Sequence, residues 1–150
     1  MPLKQYSQKR DLKKSGEPKA KVVKKKGKKP IFCIQKHKAS HLHWDLRLEM
    51  NGILKSWAVP KEPPKTKGVK RLAIQVEDHP LSYAKFEGEI KEGYGKGSVK
   101  IWDEGTYTLD ENMPKKLVMN LKGKKLNGNY VLIKTNYGSK PEKSWLFFKV

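Results

Sequence analysis

HKASHLHWDLRLEMNGILKSWAVPK, His37 to Lys61, is the stretch from which this chain can be read. Across residues 43–50 polar and apolar residues alternate. His43, Asp45, Arg47 and Glu49 fall on one face, and Trp44, Leu46, Leu48 and Met50 on the other, because strand side chains repeat every two residues. Asn51-Gly52 is the commonest two-residue hairpin turn, since both residues tolerate positive φ. Ile53–Val59 then returns as the second strand. With Met50 paired to Ile53, Arg47 faces Ser56 and Asp45 faces Ala58. Two small residues therefore flank the charged row and leave open space above it. The apolar face belongs to a core; the charged face borders a site.

Outward from this hairpin the chain reads as further short β-rich runs: 31–37, 71–77, 97–103, 106–109, 130–135 and 144–150. Asp103-Glu104-Gly105 and Asn127-Gly128 are the turn signals between them. Period alone leaves residues 113–122 as either a short helix or another strand, and residues 60–70 (PKEPPKTKGVK) are a loop by composition. Many short strands with minor helices predict an all-β domain over 31–150. A closed β-barrel of about eight strands would remove exposed edges.

The chain has 150 residues and carries 34 Lys+Arg against 15 Asp+Glu, a net charge of +19. That excess favours a polyanionic partner, nucleic acid or an anionic membrane surface. No apolar run approaches the roughly 20 residues that cross a bilayer, and no apolar signal-peptide centre follows the N-terminus. The single cysteine, Cys33, rules out an internal disulfide, reads as a small buried strand residue, and fits a reducing cytoplasmic setting. Residues 1–30 hold 12 Lys+Arg against two acids. They have few apolar residues and no period, which predicts a flexible basic N-terminal arm able to touch phosphates electrostatically.

The chemistry concentrates in H-x5-H-x-D: His37, His43 and Asp45. Two imidazoles and a carboxylate suit Mn²⁺, Fe²⁺ or Zn²⁺ and leave positions open for water and substrate. Arg47 continues the row and offers a planar fork for a phosphate. Lys61, just past the hairpin, and Arg71, at the head of the next strand, would neutralise charge on a transferring phosphoryl group. His41 reads as a strand-edge residue. His79 and Tyr83 follow the strand ending in Glu77-Asp78, and a lone His79 is more often structural than catalytic. Residues 93–97 (GYGKG) read as a hairpin turn before a phosphate cradle. The same residues admit other functions. Two histidines and a carboxylate on a barrel also hold iron in non-haem Fe(II) oxygenases. A basic arm with exposed aromatics would also serve a non-catalytic DNA-end-binding module.

FCIQKHKASHLHWDLRLEMNGILKSWAVPKEPP, RLAIQVEDHPLSYAKFEGEI and GKGSVKIWDEGTY together resemble the 3′-phosphoesterase domain of bacterial DNA ligase D and its free-standing archaeal relatives. The likeness runs from the RD…EP pattern at residues 10–18 to about Leu109. Trp44 and Leu46 stand where the family more often has Tyr and Phe. Lys91 replaces a usual proline in a 90–97 loop that is one residue shorter.

The resemblance implies a manganese-dependent enzyme on a β-barrel that removes a 3′-terminal ribonucleotide and then the 3′-phosphate, leaving a 3′-OH. It implies Mn²⁺, or another divalent transition metal, on His37, His43 and Asp45. It places phosphate-contacting or essential polar residues at Gln35, Arg47, Lys61, Arg71, His79 and Tyr83, and functional arm residues at Arg10, Asp11 and Glu17. The implied partners are DNA or RNA–DNA primer–template 3′ ends, with a repair polymerase, a DNA ligase and Ku, and no membrane.

Overall fold

The computed structural model describes residues 3–10, 15–18, 29–93 and 95–150. The hairpin forms in the expected register. β2 (Leu42–Met50) and β3 (Ile53–Val59) pair antiparallel with Met50 opposite Ile53, Arg47 opposite Ser56 and Asp45 opposite Ala58. Asn51 and Gly52 both have positive φ, 52° and 79°, the backbone twist that a tight hairpin requires. The other strands are β1 (Ile31–Lys38), β4 (Lys70–Pro80), β5 (Gly88–Ile90), β6 (Gly97–Met113), β7 (Lys116–Gly123), β8 (Asn127–Lys134) and β9 (Ser144–Lys149). Eight of them run antiparallel in the order β1-β2-β3-β4-β9-β8-β7-β6, and β6 returns to β1, so the sheet closes into a barrel. β5 pairs with the first residues of β6. Among the described residues, helical structure is limited to short pieces such as α1 (Lys4–Gln8) and the 3-10 turns Leu81–Lys85 and Pro141–Lys143. No helix among the described residues is long and apolar enough to cross a membrane.

Every barrel strand sends alternate side chains into one buried cluster. Phe32 and Ile34 come from β1, Leu46 and Leu48 from β2, Trp57 from β3, Ala73 from β4, Tyr107 from β6, Met119 from β7, Tyr130 from β8 and Phe147 from β9. A cluster fed by all eight strands is the barrel interior, so the barrel is solid. Full burial of each large apolar side chain contributes about 1.5–3 kcal/mol. The intervening residues of β1–β4 point outward. There a second cluster joins Cys33 and Leu54 to Tyr83 and Ala84 of the 3-10 turn and to Leu3 and Tyr6 of the arm. Burial pushes the Cys33 thiol up to about 12, which makes it inert packing.

Two expected turns are not turns. Residues 97–103 and 106–109 belong to one strand, β6, because a closed barrel needs a long strand that pairs with β1 along its first half and with β7 along its second. Gly105 is there for closeness rather than for a bend, since a Cβ on it would lie 2.0 Å from the Lys122 carbonyl oxygen. Asp103 instead holds a turn elsewhere. Its buried carboxylate accepts backbone N–H bonds from Glu104, Lys124, Lys125 and Leu126. That fixes the β7–β8 connection at 124–126, and Asn127-Gly128 opens β8. The ambiguous 113–122 segment is strand, mostly in β7.

Candidate metal centre and active site

Strand register alone sets His37 opposite His43 and Gln35 opposite Asp45. His43 Nε2 lies 3.2 Å from one Asp45 oxygen and His37 Nδ1 lies 3.6 Å from the other. One ligand atom from each of the three residues lies within 4.8 Å of the others. The remaining ring nitrogens are engaged: His37 Nε2 is 2.6 Å from the Gly95 carbonyl oxygen, and His43 Nδ1 is 3.0 Å from that of His41. A carbonyl oxygen only accepts, so each of those nitrogens carries the proton. His37 Nδ1 and His43 Nε2 are left with free lone pairs beside Asp45. Backbone carbonyls orient metal-bound histidines in this way. The trio can hold a metal ion, and its N,N,O donor set fits a divalent transition metal.

Burial works against charge on Asp45, but the Arg47 guanidinium 3.4 Å away, helped by the neighbouring His37 and His43 where a proton rather than a metal sits between them and the carboxylate, holds its carboxyl well below the usual range. Burial likewise opposes charge on His43, yet the Asp45 carboxylate outweighs it and raises the His43 pKa. Asp45 is thus a permanent anion, and the two imidazoles complete a site that favours a cation.

Gly95 belongs to the 93–97 loop that the sequence marks as a turn. Its φ is +81°, and a Cβ on it would sit 3.2 Å from His37 Cε1. Gly95→Ala is expected to press on the ring whose tautomer this residue sets, and to weaken metal binding about 10-fold, the low end for disturbed ligand-supporting contacts. Isothermal titration with Mn²⁺ measures it; unchanged affinity would show that the Gly95 contact does not orient His37.

Arg47 is 3% exposed and fully framed. Nε–H donates to Gln35 Oε1 at 2.7 Å, Nη1 to Ser56 Oγ at 2.9 Å, and the guanidinium lies over the Tyr83 ring at 4.8 Å. Gln35 is spent on this support, because its amide nitrogen also donates to the carbonyls of Tyr83 and Phe86. Ser56 was legible only as a small residue opposite Arg47. Its hydroxyl proves to be a partner.

His79 is 2% exposed. Arg10 Nη2 lies 3.2 Å from its Nε2 and can only donate, so Nε2 accepts, and Nδ1–H donates to the Glu77 carbonyl at 2.9 Å. Burial, with Arg47 and Arg10 nearby, drives the His79 pKa well below its ordinary value. This is the charge state of an acceptor, where the family resemblance suggested a phosphate contact. A stability consequence follows. Below about pH 6.5 the unfolded imidazole takes up a proton that the buried one refuses, so His79 costs no stability above that pH and costs more as pH falls through it. His43, with its raised pKa, acts in the opposite sense, so the difference between His79→Gln and the parent isolates the effect. The stability gap between the two is expected to shift in favour of the variant as pH falls below about 6.5, by at most about 1.4 kcal/mol per pH unit in urea titrations. A gap that does not change with pH would mean that native His79 takes up its proton as readily as the unfolded chain does.

Part of the described arm packs on the barrel, with Leu3, Tyr6, Ser15 and Glu17 buried, while Lys4, Gln5, Ser7, Gln8 and Lys9 are exposed. Arg10 donates to Glu17 Oε2 at 2.9 Å, lies 3.5 Å from a Glu77 oxygen and stacks over Tyr6. Tyr6 O–H donates to the Pro18 carbonyl. Tyr83 O–H donates to the same Glu17 oxygen at 2.7 Å, and burial holds this phenol far above its usual pKa. Asp11 and the polybasic 19–28 segment lie outside the described residues. The outcome is a crevice of about 630 Å³ on the outer barrel face, lined by His37, His43, Asp45, Arg47, His79 and Tyr83, with Arg10 from the arm. Four expected residues among those described are not in this lining: Gln35 and Glu17 are buried supports of Arg47 and Arg10, and Lys61 and Arg71 lie elsewhere. Lys61 is exposed, next to Pro60 at the rim, and Arg71 shares its strand face with core residue Ala73 and donates to the Glu62 carbonyl at 2.8 Å. His41, Gly95 and Glu77 line the crevice although the sequence offered no firm sign of it. His41 and Gly95 act largely through their backbone carbonyls, and backbone roles leave no residue-type signature.

A family model described as the DNA Ligase D 3′-phosphoesterase domain matches residues 35–134. The chain is 48% identical to the Pseudomonas aeruginosa protein named "Multifunctional non-homologous end joining protein LigD", over 99% of this chain and 18% of that protein. It is 45% identical to the Mycobacterium tuberculosis "Multifunctional non-homologous end joining DNA repair protein LigD", over 89% of this chain and 18% of that protein. The chain thus spans about a fifth of the length of the curated relatives it matches.

Proposed function

The chain belongs to the DNA ligase D 3′-phosphoesterase domain family, and from that premise we propose that it is a metal-dependent hydrolase that heals DNA 3′ ends. It removes a 3′-terminal ribonucleotide as a phosphodiesterase and then the 3′-phosphate as a phosphomonoesterase, leaving a 3′-OH for repair synthesis or ligation. Its substrates are DNA or RNA–DNA primer–template 3′ ends. Its setting is non-homologous end joining in the cytoplasm, beside a repair polymerase, a ligase and Ku. The observation that carries the proposal is a His37/His43/Asp45 cluster with preset ring tautomers in the same crevice as a buried, pre-positioned arginine.

Bound at His37, His43 and Asp45, Mn²⁺ would supply Lewis-acid polarisation of a phosphate oxygen. Arg47 keeps one N–H on each terminal nitrogen after its bonds to Gln35, Ser56 and Asp45 are counted, which is the fork that grips a phosphate. Gln35 and Ser56 fix that fork, so no ordering cost falls on the bound complex. His79, neutral, holds Arg10 toward the crevice, and Glu17 ties Arg10 to Tyr83. Arg10 then adds a second cation on the side of the phosphate nearest β4. Lys61 reaches in from the rim on its flexible stem, and Arg71 steadies the loop that carries it.

The test is a 5′-labelled primer–template with one 3′-terminal ribonucleotide, incubated with Mn²⁺ and then with EDTA. Stepwise, metal-dependent shortening to a 3′-phosphate and then a 3′-OH is expected. Removal of the 3′-phosphate alone would restrict the protein to a phosphatase. Tight binding without cleavage under any divalent metal would overturn the proposal in favour of an end-binding module.

A further inference from the structure

The β8–β9 loop, residues 135–143 (TNYGSKPEK), has no part in the metal centre, yet Ser139 and Lys140 line the same crevice. Beside it lies a second groove of about 290 Å³, lined by Gln5, Gln75, Lys140 and Lys143. The two concavities share Ile74, Val76, Glu77 and Lys140, so one runs into the other past the Lys140 side of the loop. The groove also holds two acids, but both are neutralised. Glu77 lies 2.9 Å from Lys9 Nζ and 3.5 Å from Arg10, and Asp78 lies 3.3 Å from Lys55. Lys140 and Lys143 have no ion-pair partner among the described residues. The loop that carries them is braced: Lys134 Nζ donates to the carbonyls of Thr135 and Pro141, at 2.6 and 2.7 Å, and Thr135 N–H to that of Ser144. Three residues before Lys140 on the same loop, Tyr137 is 66% exposed. A braced loop with two unpaired cations and an exposed aromatic, opening from the crevice that holds the candidate metal centre, matches the chemistry of a nucleic-acid strand. Cations track its backbone and a ring stacks on a base.

We infer that residues 135–143 form a tracking subsite for the strand whose 3′ end enters the metal crevice. Lys140 and Lys143 contact phosphates upstream of the scissile one, and Tyr137 stacks on an upstream base. The identity of that strand end rests on the function proposed above. The test compares a fluorescent 3′-phosphorylated dodecamer with a fluorescent nucleoside 3′-monophosphate, which has no upstream phosphate or base, using the full chain and fluorescence anisotropy across a salt series. Lys140→Ala/Lys143→Ala is expected to weaken dodecamer binding about 10-fold and to flatten log K against log salt by about 1.4, or about 0.7 per phosphate on a single strand. Tyr137→Ala is expected to weaken it about 10-fold with the salt slope unchanged. Mononucleotide binding and 3′-phosphate removal from it stay as in the parent. Unchanged dodecamer binding, or equal losses on both ligands, would overturn the subsite. If the parent binds the dodecamer but never cleaves it with Mn²⁺, the hydrolase reading fails while the subsite is still decided by the binding data.

Discussion

His43→Ala is expected to lower hydrolysis of a 3′-phosphorylated primer by about a thousandfold or more, with little change in thermal stability. Lewis-acid stabilisation of a phosphoryl transition state is worth several kcal/mol, and each 1.36 kcal/mol is tenfold in rate. The fold should be indifferent, because the His43 side chain is 24% exposed at the edge of the crevice and meets only Asp45, the His41 carbonyl and the ring of His37, all part of the site itself. Asp45 keeps His37 and Arg47 as partners in the variant, so no buried charge is stranded. Turnover, Mn²⁺ titration and a melting curve on the same preparation decide it. Full activity with Mn²⁺ would remove His43 from the metal centre, whereas a collapse of the melting temperature would make it a structural residue.

Arg47→Ala carries the second large effect, and here activity and stability fall together. Removing one member of a buried, hydrogen-bonded ion pair costs about 3–5 kcal/mol, because the partner is left charged without compensation. Asp45 would lose its main stabilising cation, and Gln35 Oε1 and Ser56 Oγ would lose their donors. The urea midpoint should drop accordingly and the phosphate clamp disappear. Arg47→Lys is expected to recover part of the stability through the charge near Asp45 but little of the activity, since an ammonium cannot span Gln35, Ser56 and a phosphate at once. A lysine variant with near-parent turnover would show that charge alone, not the fork, is what the site uses.

Much of this site was legible because it lies on strands. Alternation over residues 43–50, with the Asn51-Gly52 turn, was enough to place Asp45 and Arg47 on one face opposite Ala58 and Ser56, and pairing across β2–β3 has that register. Alternation in β1 puts Gln35 and His37 on one face, but only the β1–β2 register sets His37 opposite His43. Asp103-Glu104-Gly105 was misleading for a related reason. Its turn-forming composition serves a side chain that grips another loop and a glycine that admits a neighbouring backbone, and neither use is local.

The sequence by itself determined the central hairpin and its buried face, most of the other strand segments, and the nearness of His43, Asp45 and Arg47 on one strand face with His37 close in sequence, because these depend on residue types at short spacing within one or two paired strands. Tertiary structure alone decided that the barrel interior is filled and the crevice lies on its outer face. It also decided that Arg10 and Glu17 of a composition-poor arm close over that crevice, and that His79 is a neutral acceptor. It left Arg71 outside the crevice, on the Ala73 side of β4. These outcomes depend on contacts between residues tens of positions apart and on burial. Burial sets which charges survive, and no local pattern encodes it.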